Sequence, residues 1–203
     1  MRRIGLMGGS FNPVHCGHLN LARAALAAGL ADQVLFLPSG NPPHKRAGLA
    51  DKRDRLAMVE LAVAGEPGMG VCREEIDRPG VIYTVDTLTI LHGQMPDAEL
   101  LYLIGADTLA QLGTWRRPDE VIRLCTLLVA ARPGEEERGL ARLVDCWRGR
   151  GARIGLLPAE PMGVSSTAIR ARAAAGLSLA GMTPPQVEAY IRAHGLYQET
   201  EDL

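Results

Sequence analysis

The stretch Ile4–Leu26, I-G-L-M-G-G-S-F-N-P-V-H-C-G-H-L-N-L-A-R-A-A-L, decides the fold that we predict for this chain. It opens with the apolar run Ile4–Met7, which predicts a buried strand. The glycine pair that follows lets the backbone turn tightly, and Asn12-Pro13 indicates a further turn. From Gly17 onward the apolar residues recur at helical spacing, which predicts a helix.

A strand, a glycine turn and a helix start, in this order, are suited to holding phosphate groups. Backbone N–H groups and the positive end of the helix dipole then face one place. His15 and His18 lie three residues apart where the helix begins, so their side chains can share one face beside an anion. The turn lacks both G-x-G-x-x-G and G-K-[ST], which disfavours a nicotinamide-dinucleotide cofactor site of the usual kind and a P-loop.

Bulk composition limits the class of protein. The chain has 203 residues, of which 47% are hydrophobic, so we expect one sizeable core and a single domain over residues 1–203. Its 22 basic and 23 acidic residues balance, so net charge does not support a nucleic-acid or membrane partner. The four cysteines show no C-x-x-C spacing, which favours reduced thiols and a cytoplasmic location. No signal peptide or transmembrane segment is recognisable.

Apolar runs alternate with helical patterns along the rest of the chain. Further strands are predicted at Val34–Leu37, Val71–Glu74, Leu100–Ile104, Thr126–Ala131 and Ile154–Leu157. Three helices are predicted from about Asp51 to Ala64, from Thr84 as N-cap to about His92, and from Glu135 to about Trp147. Two shorter helices, from about Ser166 to Ala175 and from about Pro184 to His194, are predicted to form a C-terminal subregion over about 166–194. Apolar strands separated by helices predict a doubly wound α/β fold, with a mainly parallel sheet and helices on both faces.

Ligands bind such folds where the carboxyl ends of the strands meet. The first loop, the segment Pro42–Lys45, Asp107 and the helix start at Ser166 are all predicted to reach that edge. Each has a plainer interpretation, since a serine cluster can simply cap a helix and Trp115 can be an ordinary core aromatic. The convergence of all four segments is what predicts a ligand site.

Two motifs carry a family resemblance. G-G-S-F-N-P-V-H-C-G-H-L at 8–19 resembles the signature loop of the nucleotidyltransferases whose hallmark is H-x-G-H, and G-V-S-S-T-A-I-R at 163–170 resembles their second signature. The segments N-P-P-H-K, Y-T-V-D-T-L and G-A-D, together with Trp115, make the chain similar to the bacterial nicotinate-nucleotide adenylyltransferases. The closing V-E-A-Y-I-R-A-H-G-L-Y extends the resemblance over nearly the whole chain. Ser10 and Asn12 depart mildly from it, since many members have Thr and Asp there.

The resemblance implies transfer of the adenylyl group of ATP to nicotinate mononucleotide, giving nicotinate adenine dinucleotide and pyrophosphate. It implies three catalytic residues that contact the ATP phosphates, His15, His18 and Arg170. The remainder of the implied ATP site comprises Gly8, Gly9, Ser10, Phe11, Gly105, Asp107 at a ribose hydroxyl, and Ser166 and Thr167 at the leaving pyrophosphate. The implied nicotinate-mononucleotide side comprises Asn12, His44, Lys45, Thr84 and Trp115, the last stacking on the pyridine ring.

The expected metal is Mg²⁺, held mainly by the ATP phosphates and water rather than by a protein cage. The expected partners are ATP and nicotinate mononucleotide, without nucleic acid or membrane, and a homo-oligomer is left open. The alternatives are a sister adenylyltransferase that acts on nicotinamide mononucleotide or phosphopantetheine, and a non-catalytic nucleotide-binding module on the same fold. The residues do not distinguish the acid from the amide at the pyridine ring.

Overall fold

A computed structural model of the chain describes residues 1–41, 48–130, 137–160 and 162–198. Within these ranges one sheet is formed by β1 (Arg2–Gly9), β2 (Gln33–Pro38), β3 (Met69–Val71), β4 (Ala98–Gly105), β5 (Thr126–Ala130) and β6 (Ile154–Leu157). The spatial order is β3-β2-β1-β4-β5-β6, and each neighbouring pair is parallel. The predicted doubly wound parallel sheet is confirmed.

Helices cover both faces of this sheet. They are α1 (Cys16–Ala27), α2 (Lys52–Val63), α3 (Glu74–Asp77), α4 (Thr84–Gln94), α5 (Ala106–Gln111), α6 (Pro118–Leu124), α7 (Glu137–Gly149), α8 (Ser166–Ala174) and α9 (Pro185–Ala193). Buried side chains of α1, α2, α8 and α9 form one core cluster, and those of α4, α5, α6 and α7 form a second. No helix in the described ranges is long and apolar enough to cross a membrane.

Strand β4 shows how the sheet serves both clusters. Leu101 and Leu103 belong to the first cluster, whereas Leu100, Tyr102 and Ile104 belong to the second. Because successive side chains on a strand point to opposite faces, a strand covered on both faces has a continuous apolar sequence. The last two helices share their cluster with α1 and α2, and the domain division of the chain stays a prediction.

The strand order reverses beside the central strand. Strand β1 pairs with β2 on one side and with β4 on the other, although β4 comes much later in the chain. The carboxyl ends of β1 and β4, Gly9 and Gly105, therefore flank the point where ligands bind in open α/β sheets.

Two predicted boundaries were wrong. The strand expected at Val71–Glu74 ends at Val71, and Glu74 starts helix α3, whose first turn is acidic and so complements the helix dipole. Thr84 is not the N-cap of α4, because Tyr83 occupies that position with extended backbone angles and Thr84 is the first helical residue.

A buried arginine holds the loops at the carboxyl edge together. Arg55, on α2, is only 1% exposed. Its guanidinium donates to the carbonyl oxygens of Ser10 at 2.7 Å, Gly40 at 3.0 Å and Ala50 at 3.1 Å. These oxygens belong to the loop after β1, the loop after β2 and the segment that leads into α2. One planar group therefore fixes three segments of backbone relative to each other.

Replacing Arg55 with methionine should destabilise the chain. The substitution keeps most of the side-chain volume but leaves three carbonyl oxygens without their donor, and each unsatisfied buried group costs about 1–3 kcal/mol. We expect the free energy of unfolding in urea to fall by about 3 kcal/mol or more. Arg53→Met is the matched control on the exposed side of the same helix, and an equal loss in both variants would contradict this account.

Candidate active site

Close packing explains the glycine pair that ends β1. A Cβ at Gly8 would collide with the Tyr102 hydroxyl, and a Cβ at Gly9 would lie 3.3 Å from the ring of Phe11. Phe11 itself is buried with a φ of 46°, so the chain turns sharply there. The first loop thus leaves the sheet with its backbone close to the end of β4.

The two histidines stack at the start of α1. Their ring centroids lie 3.7 Å apart at an interplanar angle of 26°. The backbone N–H of His15 donates to Nδ1 of His18 at 3.2 Å. Because Nδ1 accepts this bond, a neutral His18 has its proton on Nε2, which becomes a fixed donor.

Two neighbours hold these rings in place. Phe11 meets His18 edge-on, with ring centroids 5.0 Å apart at 74°. A Cβ at Gly17 would come within 3.0 Å of Nδ1 of His15, so the glycine between the histidines makes room for the stacked ring. The glycine of H-x-G-H therefore serves the geometry of the histidine before it.

Burial keeps both imidazoles neutral. It lowers the pKa of His15 to about 4. Burial, and secondarily the neighbouring His15, lower the pKa of His18 to about 3. At neutral pH the pair therefore presents N–H donors rather than positive charges. A bound anion would stabilise the protonated forms and raise these pKa values.

The first turn of α1 offers fewer free backbone donors than the sequence suggested. The N–H of Cys16 donates to the Met182 carbonyl at 2.9 Å, and the N–H groups of His18 and Leu19 donate to the carbonyl of His15. These three amides are therefore engaged within the protein. The N–H of Gly17 donates to no acceptor within the described ranges, so it can bind a ligand together with the imidazoles.

The start of α8 lies directly against the first loop. The Ser166 hydroxyl donates to the Pro13 carbonyl at 2.9 Å, and Nη1 of Arg170 donates to the Asn12 carbonyl at 2.8 Å. Nη2 of Arg170 also contacts the Thr167 hydroxyl at 3.3 Å. The predicted meeting of these two segments, more than 150 residues apart in the chain, is confirmed.

The cap of α8 leaves backbone donors available. The Ser165 hydroxyl accepts from the N–H of Ala168 at 3.1 Å. The N–H groups of Ser166 and Thr167 donate to no acceptor within the described ranges. With the Arg170 guanidinium beside them, these groups can bind an anion at the positive end of the helix dipole.

Asn12 connects the first loop to two distant segments. The residue is only 6% exposed. The amide donates to the Gly48 carbonyl at 3.0 Å, and the carbonyl oxygen accepts from the Ala50 N–H at 3.0 Å and from the Tyr197 hydroxyl at 2.9 Å. The side chain therefore positions the loop, and its predicted contact with substrate stays a prediction.

A second group of predicted residues lies at the end of β4 and the start of α4. Gly105 is the N-cap of α5, and Asp107 lies exposed in that helix's first turn. Trp115 packs edge-on against Tyr102, with ring centroids 5.9 Å apart. Burial raises the pKa of Tyr102, and an interaction with the Thr84 side chain opposes that shift. Tyr102 thus brings Thr84 and Trp115 together.

Two predicted residues have no described position, and three residues that hold the site together were not predicted. His44 and Lys45, predicted on the substrate side, lie outside the described residues. Sequence reasoning missed Arg55, although its spacing from Met58 and Ala62 places it on the inner face of α2. It also missed Tyr102 and Tyr197, for which no local pattern indicates a partner.

The fold and the two-histidine loop define a class of proteins. Residues 6–172 match a family model described as cytidylyltransferase-like. Two curated relatives are named probable nicotinate-nucleotide adenylyltransferase. That of Neisseria meningitidis serogroup B is 42% identical over 202 residues, covering 98% of this chain and 100% of the relative. That of Bordetella petrii is 43% identical over 198 residues, with the same coverage.

The chain belongs to the nicotinate-nucleotide adenylyltransferase family. Among solved structures, it is similar to Plasmodium falciparum nicotinic acid mononucleotide adenylyltransferase complexed with NaAD, with a TM-score of 0.79. That match covers 97% of this chain and 98% of the other at 13% sequence identity, so the likeness concerns the fold.

The neutral histidines predict a pH dependence of stability. Histidines of the unfolded chain take up protons below about pH 6.5, whereas folded His15 and His18 do so only near 4 and 3. Stability should therefore fall as pH drops through this window, since the unfolded state binds more protons. We expect the free energy of unfolding in urea to fall by about 1–3 kcal/mol between pH 7 and pH 5.

The double variant His15→Gln/His18→Gln should lose less stability over the same pH interval. His92→Gln, which removes an exposed histidine, is the control and should keep the wild-type pH dependence. The same dependence in the double variant and the wild type would show that these imidazoles are not held neutral.

Proposed function

We propose that the site transfers the adenylyl group of ATP to the 5′-phosphate of nicotinate mononucleotide, forming nicotinate adenine dinucleotide and pyrophosphate. The observation that carries this proposal is the contact of the histidine loop with the start of α8, through the bonds from Ser166 and Arg170. It lies at the reversal of strand order, in a chain about 42% identical to relatives of that name. Both substrates are intracellular nucleotides, so we place the reaction in the cytoplasm.

The reaction requires positioning rather than proton transfer. An oxygen of the mononucleotide phosphate forms a bond to the α-phosphorus of ATP. The bond from that phosphorus to the oxygen bridging to the β-phosphorus breaks, and its electron pair leaves with pyrophosphate. The attacking phosphate is already ionised at neutral pH, so no general base is needed. The rate enhancement comes from in-line alignment of the two substrates and from preorganised donors around the developing charge.

We assign the donors by their place in the fold. Nε2–H of His18 and the adjacent His15 ring would contact the phosphate oxygens around the reacting phosphorus. The N–H groups of Ser166 and Thr167, the Thr167 hydroxyl and the Arg170 guanidinium would hold the β- and γ-phosphates of the leaving group. Support comes from the fixed tautomer of His18 and from the unused donors at the start of α8.

The remaining assigned residues divide between the ATP side and the mononucleotide side of the site. On the ATP side they are Gly8, Gly9, Ser10 and Phe11 along the first loop, and Gly105 with Asp107 at a ribose hydroxyl. On the mononucleotide side they are Asn12, His44, Lys45, Thr84 and Trp115. The grouping of Thr84, Tyr102 and Trp115 supports a pyridine-ring pocket at the start of α4.

The metal would enter with the nucleotide. Across the described ranges, no group of three or more His, Cys, Asp or Glu side chains could hold a metal ion. A protein cage for Mg²⁺ is therefore not offered by those residues. Mg²⁺ favours phosphate oxygens and water, so we propose that it arrives as part of the ATP complex.

The substrate assignment can be tested by comparing acceptors. Pyrophosphate release from ATP should be fastest with nicotinate mononucleotide, slower with nicotinamide mononucleotide and absent with phosphopantetheine. The measurement is kcat/KM for each acceptor at saturating ATP. A preference for either of the other two would favour the corresponding sister enzyme, and no release with any acceptor would favour a nucleotide-binding module.

His18 should matter for turnover more than for ATP binding. We expect His18→Ala to lower kcat on the order of a hundredfold or more, the usual cost of removing one preorganised donor. Calorimetric titration should show ATP binding within a few-fold of the wild type. His92→Ala is the control and should keep wild-type turnover. Full turnover by the His18 variant would exclude it from catalysis.

A further inference from the structure

Arg116 links the two chain segments that supply the proposed pyridine-ring pocket. Its guanidinium carbon lies 4.6 Å from the centroid of the Tyr83 ring. Tyr83 precedes Thr84 in the chain, and Arg116 follows Trp115. The arginine therefore bridges the two chain segments that supply the pocket, and stacking on an aromatic face leaves the edge of a guanidinium free to bind.

The segment that carries Arg116 is held on the start of α4. Nη2 of Arg117 donates to Oδ1 of Asp86, in the first turn of α4, at 2.7 Å. On the other side of Arg116, Trp115 packs edge-on against the buried Tyr102. These contacts on both sides fix the backbone from which the Arg116 side chain extends.

Arg116 and Arg117 differ in whether their guanidinium groups are already paired. Arg117 is paired with Asp86 and, at 3.3 Å, with Glu120. Arg116 is exposed and forms no hydrogen bond or ion pair with any residue in the described ranges. Its donors are therefore available to a ligand, and the carboxylate of Asp86, which would repel an anion, is already neutralised by Arg117.

We propose that Arg116 binds the pyridine-ring carboxylate of nicotinate mononucleotide and so makes the enzyme prefer the acid to the amide. This inference rests on the proposed function, which it deepens. A guanidinium donates two parallel N–H bonds to a carboxylate, and such charge-assisted pairs are stronger than neutral ones. A carboxamide offers one acceptor oxygen, and its NH₂ group would face the guanidinium donors.

The test compares acid and amide substrates in one set of variants. At saturating ATP, Arg116→Gln should lower kcat/KM for nicotinate mononucleotide by about ten- to a hundredfold, the usual worth of hydrogen bonds to a charged group. The loss should appear mainly in KM, because the carboxylate is bound equally before and during the reaction. kcat/KM for nicotinamide mononucleotide should stay within about twofold, which also shows that the variant folds.

Two further variants complete the experiment. Arg116→Lys keeps the charge without the planar fork, so it should retain part of the acid preference. Arg150→Gln is the matched control, since Arg150 also stacks on an aromatic ring, that of Trp147 at 4.3 Å, outside the proposed site. It should keep the wild-type ratio of acid to amide.

The outcomes separate the inference from the function on which it rests. An unchanged acid-to-amide ratio in Arg116→Gln, or an equal loss for both substrates, would overturn the inference and leave the proposed function standing. A wild type that cannot use nicotinate mononucleotide would overturn both.

Discussion

Three hydrogen bonds from one buried guanidinium set the geometry on which the candidate site depends. Arg55 binds carbonyl oxygens of the loops after β1 and β2 and of the segment entering α2. Loops at the carboxyl edge of a parallel sheet are not part of the strand ladder, so they need other contacts to keep their relative positions. A planar group with fixed donor directions provides those contacts, and burial makes each bond costly to break.

The first loop is held in the same way by the carboxyl-terminal part of the chain. The side-chain oxygen of Asn12 accepts from the Tyr197 hydroxyl, and its backbone carbonyl accepts from the Arg170 guanidinium. The Val14 carbonyl accepts from the hydroxyl of the buried Thr183 at 2.9 Å. Helix α8 and the segments that flank α9 therefore do more than cover one face of the sheet. They complete the site from the opposite end of the sequence, which explains why both signature motifs are needed to define it.

Much of this fold was predictable because apolar periodicity reports burial directly. Strands such as Leu100–Ile104, covered on both faces, have no polar alternative to their apolar runs. The three-residue edge strand β3 was misplaced because so short a strand has little pattern, and the acidic residues beside it favoured helix α3. Arg55 was missed because a charged residue on an inner helix face is uncommon, although its spacing indicated burial.

The sequence predicted which loops meet at the candidate site, but it did not predict the individual contacts between their side chains. The motifs predicted that the loop carrying His15 and His18 meets the start of α8, which carries Arg170. That the His15 backbone bonds to Nδ1 of His18 depends on the exact path of the loop, which local sequence does not determine. Tyr102 likewise packs against Trp115 through a contact that no local sequence pattern indicates.

We infer that the histidines donate hydrogen bonds to an α-phosphate that the second substrate attacks directly. In His18 the lone pair of Nδ1 is already engaged, so that atom cannot attack phosphorus. The most direct measurement is the stereochemical course at the α-phosphorus, using one diastereomer of an ATP analogue with sulfur in place of an α-phosphate oxygen. A single in-line displacement predicts inversion of configuration in the dinucleotide product. Retention would require a covalent adenylyl intermediate on the enzyme and would contradict the account.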